Sequence, residues 1–341
     1  MLSGGAARRI LASQSAQAAA GLLIDRALGE PPTAVHPVAL FGRAMTLAER
    51  FGYRDSRAAG AAHAVLGTTL GVAAGATLRS TTAATALAVA GRSLGDTALD
   101  IGAALDRGEL TVARAKLPAL VGRDPSMLSG PEVARAVVES VAENTVDAVV
   151  APAFWAACCG APAALGYRAV NTLDAMVGHR STRYHRYGWA SARLDDVAGY
   201  FPARLTAALV GLARPRSAAA IWQAIRTQAA AHPSPNAGVG EAAFAVALGV
   251  RLGGVNRYDD RVEDRPALGA GRVPTAADIP RAVRLSVDVS LLLAALLAAV
   301  AVAEAAVARK VPEPGRWRPA MSDRAASTLG DRKGQARSHA R

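Results

Sequence analysis

The stretch LSVDVSLLLAALLAAVAVAEAAVA, residues 285–308, decides the fold class. It holds only two charged side chains, Asp288 and Glu304, and each lies near one end. A helix needs about 20 mostly apolar residues to cross the hydrocarbon core of a bilayer. The stretch therefore predicts a transmembrane helix.

Two earlier runs have the same character. Residues 58–78, AAGAAHAVLGTTLGVAAGATL, contain no Asp, Glu, Lys or Arg. Residues 148–167 are also uncharged, but Pro152, Gly160 and Pro162 interrupt them. Proline is tolerated in membrane helices when neighbouring groups satisfy the freed carbonyls. The second run therefore predicts one span or a broken, re-entrant pair of helices.

Two weaker runs complete the pattern. Residues 197–213 are apolar around Arg204, and residues 80–91 are uncharged but too short to span alone. The shorter run is expected to pack beside 58–78 or to extend its helix. Together the runs predict an all-α, multi-pass membrane protein with four or five spans. An Ala-rich soluble helical protein is the alternative, because alanine is only weakly hydrophobic.

Composition narrows the function classes. The chain is 51% hydrophobic but only 4% aromatic, which suits helices that pack closely through small residues. A net charge of +12 is compatible with nucleic acid, acidic lipid or an anionic substrate. Nucleic acid is disfavoured, because the sequence has no aromatic and basic stripe on which bases stack. The adjacent cysteines Cys158 and Cys159 provide neither a disulfide framework nor the spacing of a zinc site.

Polar segments separate the apolar runs. Residues 171–196 and 214–281 are expected to form long cytoplasmic helical loops that hold the chemistry. Residues 10–24 contain several Ser and Gln and predict a retained first helix rather than a cleaved signal peptide. Residues 1–308 are thus predicted to form one membrane domain. The tail, 309–341, holds nine Lys or Arg residues and is predicted to be disordered and cytoplasmic.

An acidic stripe precedes the run at 148–167. Glu139, Glu143 and Asp147 recur every four residues in a segment that is typical of a helix. This spacing places the three carboxylates on one face, where like charges repel each other. A divalent metal or a basic substrate group would remove the repulsion. A solvated acidic face is the alternative, but a polar stripe beside a membrane run is costly and favours function.

A second polar constellation follows the same run. The string NTLDAMVG, residues 171–178, precedes Arg180, Arg183 and Arg186, and an Asp pair stands at 195–196. Guanidinium groups bind phosphate or carboxylate through forked donors, and paired aspartates suit Mg²⁺ held together with phosphate oxygens. A salt-bridged surface loop is the alternative.

A third constellation is HPSPNAGVGE, residues 232–241. Ser234 or Asn236 can cap the helix that follows, and the free amides at a helix start can bind an anion. An ordinary capped helix is the alternative. No lysine in the chain is followed by Ser or Thr, so a phosphate-binding loop of the G-x-x-x-x-G-K-[ST] type is absent. Any nucleotide is therefore expected to bind by other means.

Taken in order, these strings resemble the CobD/CbiB family, the adenosylcobinamide-phosphate synthases. The resemblance extends over residues 20–305 or thereabouts. It rests on Asp25, the Gly29, Glu30, Pro31 turn and His36, Pro37; on Glu139 to Thr145 with Asp147 and Pro152; on Asn171 to Met176; on Leu194 to Asp196; on Ser234 to Gly238 with Glu241 to Ala243; and on Gly249 to Gly254 with Asn256, Tyr258, Arg265 and Pro266.

The resemblance implies an integral protein of the cell membrane with a cytoplasmic active site. It implies ATP-dependent amide formation between adenosylcobyric acid, a corrinoid, and (R)-1-amino-2-propanol or its O-phosphate. Activation through an acyl phosphate would call for Mg²⁺ and arginine donors. Other membrane enzymes of cobalamin assembly are conceivable partners.

Residue chemistry then suggests roles for the side chains in these strings. The expected metal ligands are Glu139, Glu143, Asp147, Asp195 and Asp196. The expected substrate and phosphate contacts are Arg180, Arg183, Ser234, Asn236, Gly238 and Glu241. The expected catalytic residues are His36 or His232 as the base, with Asn144, Asn171 and Asp174.

A small membrane transporter or scaffold is the rival hypothesis. A transporter is expected to place its polar residues at midspan and often shows paired repeats. In this sequence the polar residues cluster between the apolar runs, and no repeat of fixed period is present.

Overall fold

A computed structural model describes residues 13–31, 36–179, 181–258 and 261–310. The chain divides into a compact unit, 1–305, and a second unit, 306–341, of which the described residues are helical. The described part is almost entirely helical, so the predicted all-α class is confirmed. The N-terminal residues 1–12 and the predicted tail beyond Lys310 lie outside the described residues.

Thirteen α-helices are described in these ranges. They are α1 Gln14–Leu28, α2 Pro37–Gly52, α3 Arg57–Leu78, α4 Thr81–Ala88, α5 Gly91–Asp106, α6 Leu110–Lys116, α7 Gly130–Thr145, α8 Ala151–Leu173, α9 Trp189–Ala198, α10 Tyr200–Ala213, α11 Ala218–Thr227, α12 Ala237–Leu248 and α13 Asp278–Lys310. Two π-helical segments, Val146–Val150 and Asp174–Gly178, flank α8.

Three helical stretches are long and apolar enough to cross a membrane. They are Arg57–Leu78, Gly130–Gly178 and Asp278–Val307. The expectation of four or five spans stays a prediction. The run 197–213 forms α10, a helix of 14 residues, whose length of about 21 Å is shorter than the hydrocarbon core. The run 80–91 contains the short helix α4, which contacts α3 only slightly and packs mainly against α1 and α8.

Gly160 breaks the stretch Gly130–Gly178 into two arms. Its φ of 74° lies in the left-handed region, which glycine adopts without strain, and the helix is kinked there. Asp147 and Asn171 line one cavity, although a straight helix would separate them by about 36 Å. The chain therefore reverses direction at Gly160, and the run forms a broken pair of helices rather than one continuous helix.

A line of glycines lets α3 approach the returning arm of α8. A Cβ on Gly67 would stand 2.7 Å from Leu173 Cδ1, and one on Gly71 would stand 2.6 Å from the Ala169 Cβ. One turn farther, a Cβ on Gly75 would overlap the carbonyl of Ala161. Such close backbone packing explains why small residues dominate these runs.

The last helix, α13, runs along this bundle. Near its beginning the Ser286 hydroxyl accepts a hydrogen bond of 2.8 Å from Thr145 Oγ1. Near its other end Glu304 accepts a hydrogen bond of 3.1 Å from Ser15 Oγ. Its exposed apolar side chains include Leu291, Leu296, Val300 and Val302, as expected for a helix that faces lipid.

A two-stranded antiparallel hairpin is the only β-sheet among the described residues. Strands β1, Leu252–Tyr258, and β2, Arg261–Leu268, pair with Gly254 opposite Arg265. Gly253 and Gly254 have φ values of 86° and 95°, which glycine tolerates and other residues avoid. A Cβ on Gly253 would overlap the carbonyl of Pro266 across the hairpin. The hairpin was not predicted, and it delivers a side chain to the site.

Candidate active site

A cavity of about 330 Å³ lies between the two arms of the broken helix, at the ends of the arms that are distant from Gly160. The first arm contributes Glu139, Ser140, Glu143, Asn144 and Asp147, and the second contributes Asn171, Asp174 and Ala175. The remaining lining residues are Leu120, Val121, Gly122 and Arg123 from the loop before α7, and Arg265 from β2. The cavity is thus lined by carboxylates, amides and two arginines.

Both arms change from α- to π-helical geometry beside the cavity. The segment Val146–Val150 contains Asp147, and the segment Asp174–Gly178 begins with Asp174. A π turn inserts one extra residue into a helix and recurs at functional sites, because it redirects the side chains around it. Here it accompanies two carboxylates that line one cavity.

The predicted acidic stripe is present, but its members have different surroundings. Glu139 Oε2 accepts a 2.5 Å hydrogen bond from Arg123 Nη2, and its Oε1 accepts one of 2.8 Å from the Gly253 amide. Glu143 and Asp147 line the cavity without a hydrogen bond or ion pair from the described residues. The two carboxylates beyond Glu139 are therefore the ones available to a ligand.

Asp195 stands behind the cavity wall on α9. Its Oδ1 accepts a hydrogen bond of 3.3 Å from Asn171 Nδ2, and Arg168 Nη1 donates to Asn171 Oδ1 at 3.3 Å. Burial is the main reason that the pKa of Asp195 is raised to about 6; the hydrogen bond from Asn171 lowers this pKa, and the carboxylates of Asp196 and Glu143 act in the same direction as burial. Asn171, which lines the cavity, is thereby fixed between Asp195 and Arg168.

The carboxylates predicted as metal ligands do not form a dedicated metal site. Among the ranges that the structure describes, no group of three His, Cys, Asp or Glu side chains could hold a metal ion. Glu139 is occupied by Arg123, and Asp196 pairs with Arg193 at 3.4 Å. Mg²⁺ that arrives with a nucleotide needs only one or two protein carboxylates. Asp147 and Asp174 at the cavity fit that requirement.

The two histidines expected as bases are held away from the cavity lining. His36 caps α2, with Nδ1 accepting from the Val38 amide at 3.2 Å and Nε2 4.0 Å from Glu30. Glu30 also accepts a hydrogen bond of 2.8 Å from Ser93 Oγ. These contacts give His36 a structural role at the start of α2.

His232 and Glu241 form a buried pair at the N-terminal part of α12. His232 Nε2 lies 3.5 Å from Glu241 Oε1, and both side chains are at most 3% exposed. Burial lowers the pKa of His232 and raises the pKa of Glu241, so burial favours the neutral form of both groups. Neither side chain lines the cavity, but Glu241 interacts electrostatically with the lining residues Glu139 and Glu143. The roles of His232 as base and Glu241 as a substrate contact stay predictions.

The predicted anion cradle at the start of α12 is already filled by the chain itself. Ser234 Oγ accepts from the amides of Asn236 and Ala237 at 3.3 and 3.1 Å, and the Ser234 carbonyl accepts from the Gly238 amide. A Cβ on Gly238 would stand 2.5 Å from the Cβ of His232. The ordinary capped helix explains this segment, with Gly238 required by packing.

Asn236 and Arg183 also have partners within the chain. Asn236 accepts a 2.9 Å hydrogen bond from Arg204 and donates one of 2.8 Å to the Asp196 carbonyl. Arg183 donates to Glu49 at 2.9 Å and stacks over the Tyr53 ring at 4.0 Å. The salt-bridged alternative therefore describes Arg183. Arg180 lies outside the described residues.

The cationic side of the cavity was not predicted from the sequence. Arg123 was not singled out, because its partner Glu139 is 16 residues away across a loop. Arg265 entered only as part of the family resemblance. Arg265 lies in β2, outside the helical motifs, and the sequence did not predict the hairpin that brings it to the cavity.

Comparison with known proteins identifies the family to which the chain belongs. The family model described as CobD/Cbib protein matches residues 18–286. The chain belongs to the CobD/CbiB family. The "Cobalamin biosynthesis protein CobD" of Mycobacterium tuberculosis is 51% identical over 282 residues, which cover 78% of this chain and 89% of the relative. No solved structure matches the chain.

Other members of the CobD/CbiB family match over a similar range. The "Cobalamin biosynthesis protein CobD" of Chromobacterium violaceum is 45% identical over 281 residues, covering 77% of this chain and 89% of the relative. The protein of the same name from Geobacter metallireducens is 42% identical over 300 residues, which cover 82% of this chain and 94% of the relative. These matches confirm the resemblance stated from the sequence.

Proposed function

We propose that this CobD/CbiB protein acts in cobalamin biosynthesis and joins an aminopropanol unit to adenosylcobyric acid through an amide bond. The observation that carries the proposal is the polar cavity between the two arms of a broken membrane helix. Its carboxylates and arginines could face a substrate that has both an amine and anionic groups. The reaction class is that of an ATP-dependent carbon–nitrogen ligase.

The chemistry requires an activated acyl group, because a carboxylate does not react with an amine unassisted. Attack of a corrinoid carboxylate oxygen on the γ-phosphorus of ATP gives an acyl phosphate and ADP. The amine nitrogen then attacks the acyl carbon, and phosphate leaves with the former carboxylate oxygen. Mg²⁺ bound with ATP would neutralise charge on the phosphate oxygens.

The cavity residues supply binding and proton transfer for these steps. Asp147 or Asp174 can hold the incoming ammonium group and accept the proton that it loses before attack. Asn144 and Asn171 can orient polar substrate atoms, since Asn171 is itself fixed by Asp195 and Arg168. A corrin ring with its side chains is larger than the cavity, so only the reacting arm of the corrinoid enters.

The experiment uses purified protein in detergent or lipid with adenosylcobyric acid, aminopropanol phosphate, ATP and Mg²⁺. Asp147→Asn and Asp174→Asn keep the side-chain shape but remove the charge, and each is expected to lower turnover by about 100-fold or more. Asp100→Asn, an exposed change beside Lys116, is the matched control. Equal turnover in all three variants would exclude this cavity as the site.

A further inference from the structure

The β-hairpin is fastened to α7 through a buried carboxylate. Glu139 Oε1 accepts a hydrogen bond of 2.8 Å from the Gly253 amide, while its Oε2 binds Arg123 at 2.5 Å. The side chain of Glu139 is 3% exposed and that of Arg123 is 5% exposed. A buried carboxylate with these partners has a fixed position, because moving it would leave a buried charge without its partner.

Arg135 strengthens the same attachment from one turn earlier on α7. Its guanidinium donates to the carbonyl of Gly253 and, at 2.9 Å, to that of Val255. It also lies 3.5 Å from Glu139 Oε1. The first strand of the hairpin is thus held at three backbone groups by two side chains of α7.

The second strand places Arg265 at the cavity. Residue 265 pairs with Gly254, next to the attachment point, and its side chain lines the cavity. Of the two cavity arginines, Arg123 is held by Glu139 at 2.5 Å, whereas Arg265 pairs with Glu263 of its own strand at 3.7 Å. At the cavity lining, the forked donors of the Arg265 guanidinium match the oxygen atoms of a phosphate.

We propose that Arg265 is the phosphate-binding residue of the cavity and that Glu139 positions it by holding the hairpin. Glu139 then acts through Arg265 and does not bind metal. The phosphate belongs to ATP or to a phosphorylated amine substrate. The binding claim stands without the proposed function, and only the choice between these two sources rests on it.

Phosphate binding can be measured without turnover. Inorganic pyrophosphate is titrated against the full-length protein in detergent, with thermal stability as the readout. We expect pyrophosphate to stabilise the wild type and Arg265→Gln to weaken binding by about 10-fold or more. Arg107→Gln, an exposed arginine paired with Glu109, should bind like the wild type. Absence of binding by the wild type, or equal binding by Arg265→Gln, would overturn the proposal.

The positioning role of Glu139 requires a double-mutant cycle. Glu139→Gln should weaken pyrophosphate binding in the wild type but add nothing in the Arg265→Gln background, because the two residues act through one contact. Additive losses would show that Glu139 acts independently of Arg265. If Glu139→Gln does not fold, Arg135→Gln replaces it, since it loosens the same backbone groups while Glu139 keeps Arg123.

Kinetics then identify the source of the phosphate. If Arg265 binds the amine's phosphate, Arg265→Gln raises the KM for aminopropanol phosphate and leaves that for free aminopropanol unchanged. If it binds the nucleotide, the KM for ATP rises with either amine. An unchanged KM for all three substrates would refute Arg265 as a phosphate contact, whereas failure of the wild type to form any amide would refute only the proposed function.

Discussion

Thr145 donates a hydrogen bond of 2.8 Å to Ser286, and this contact places the beginning of α13 beside the cavity. Glu304 lies about 27 Å farther along the same helix, where it accepts a hydrogen bond from Ser15. The described part of α13 therefore runs from the level of the cavity to the opposite end of the bundle. The turn after α3 lies at that opposite end, since Gly75 packs on Ala161 beside the Gly160 kink.

We predict that the loop beside the cavity and the turn after α3 face opposite sides of the membrane. Met127→Cys marks the first and Arg79→Cys the second, each in a protein whose Cys158 and Cys159 are replaced by alanine. A membrane-impermeant maleimide applied to intact cells should label only one of the two. Labelling of both, or protection of both until the cells are opened, would contradict the spanning arrangement. If the cavity is cytoplasmic, the accessible position is Arg79→Cys.

The glycine line on α3 is predicted to be essential for packing. Gly71→Ala should lower the free energy of unfolding by about 1–3 kcal/mol, because its Cβ would stand 2.6 Å from the Ala169 Cβ. Gly42→Ala is the matched control, since a Cβ there meets only Met176 Sδ at 3.9 Å. This control should be neutral or stabilising by up to about 1 kcal/mol. Thermal unfolding in detergent measures both, and equal effects would contradict the close approach.

Asp25 is predicted to make stability fall as pH rises. Burial raises its pKa from 3.8 to about 6, although its Oδ2 accepts a hydrogen bond from the Arg92 amide. A carboxyl whose pKa is higher in the folded state stabilises the fold when protonated, and that contribution is lost as pH rises from 3.8 through about 6. Asp25→Asn should therefore stabilise the protein more at pH 8 than at pH 5.

The control for this comparison is Asp96→Asn, an exposed carboxylate paired with the same arginine. Its effect on Tm should differ little between the two pH values. The same pH dependence in the wild type and in Asp25→Asn would show that Asp25 does not titrate in this range.

We predict that Gly238 is needed for helix packing and does not take part in phosphate binding. Gly238→Ala should lower Tm, because the added Cβ meets His232, while the KM for ATP and aminopropanol phosphate stays unchanged. Ala247→Val, on the same helix away from its start, provides a packing control. A raised KM with intact stability in Gly238→Ala alone would restore the anion cradle inferred from the sequence.

The membrane helices were predictable because hydrophobicity and helix-breaking residues are local properties. The hydrophobicity of residues 58–78 and 285–308 predicted two spans. Gly160 and Pro162 indicated the break that the structure contains. The run 197–213 was less informative, because its apolar residues form only the 14-residue helix α10. Composition alone does not show where such a helix ends.

The cavity was predictable only in part, for a related reason. Four-residue spacing placed Glu139, Glu143 and Asp147 on one face, and all three line the cavity. Their separate environments depend on Arg123 and Gly253, which approach from distant segments. Local spacing carries no information about such partners. Their roles in metal and substrate binding stay predictions.

Oxygen transfer from the corrinoid to phosphate tests the ligase reaction most directly. Adenosylcobyric acid labelled with ¹⁸O in its free carboxylate is incubated with the protein, ATP, Mg²⁺ and aminopropanol phosphate, and the products are weighed by mass spectrometry. The acyl phosphate route predicts an amide product and one ¹⁸O atom in the released inorganic phosphate for each amide formed. Recovery of the corrinoid unchanged, with both labelled oxygens retained and no amide, would contradict it and favour a transporter or scaffold.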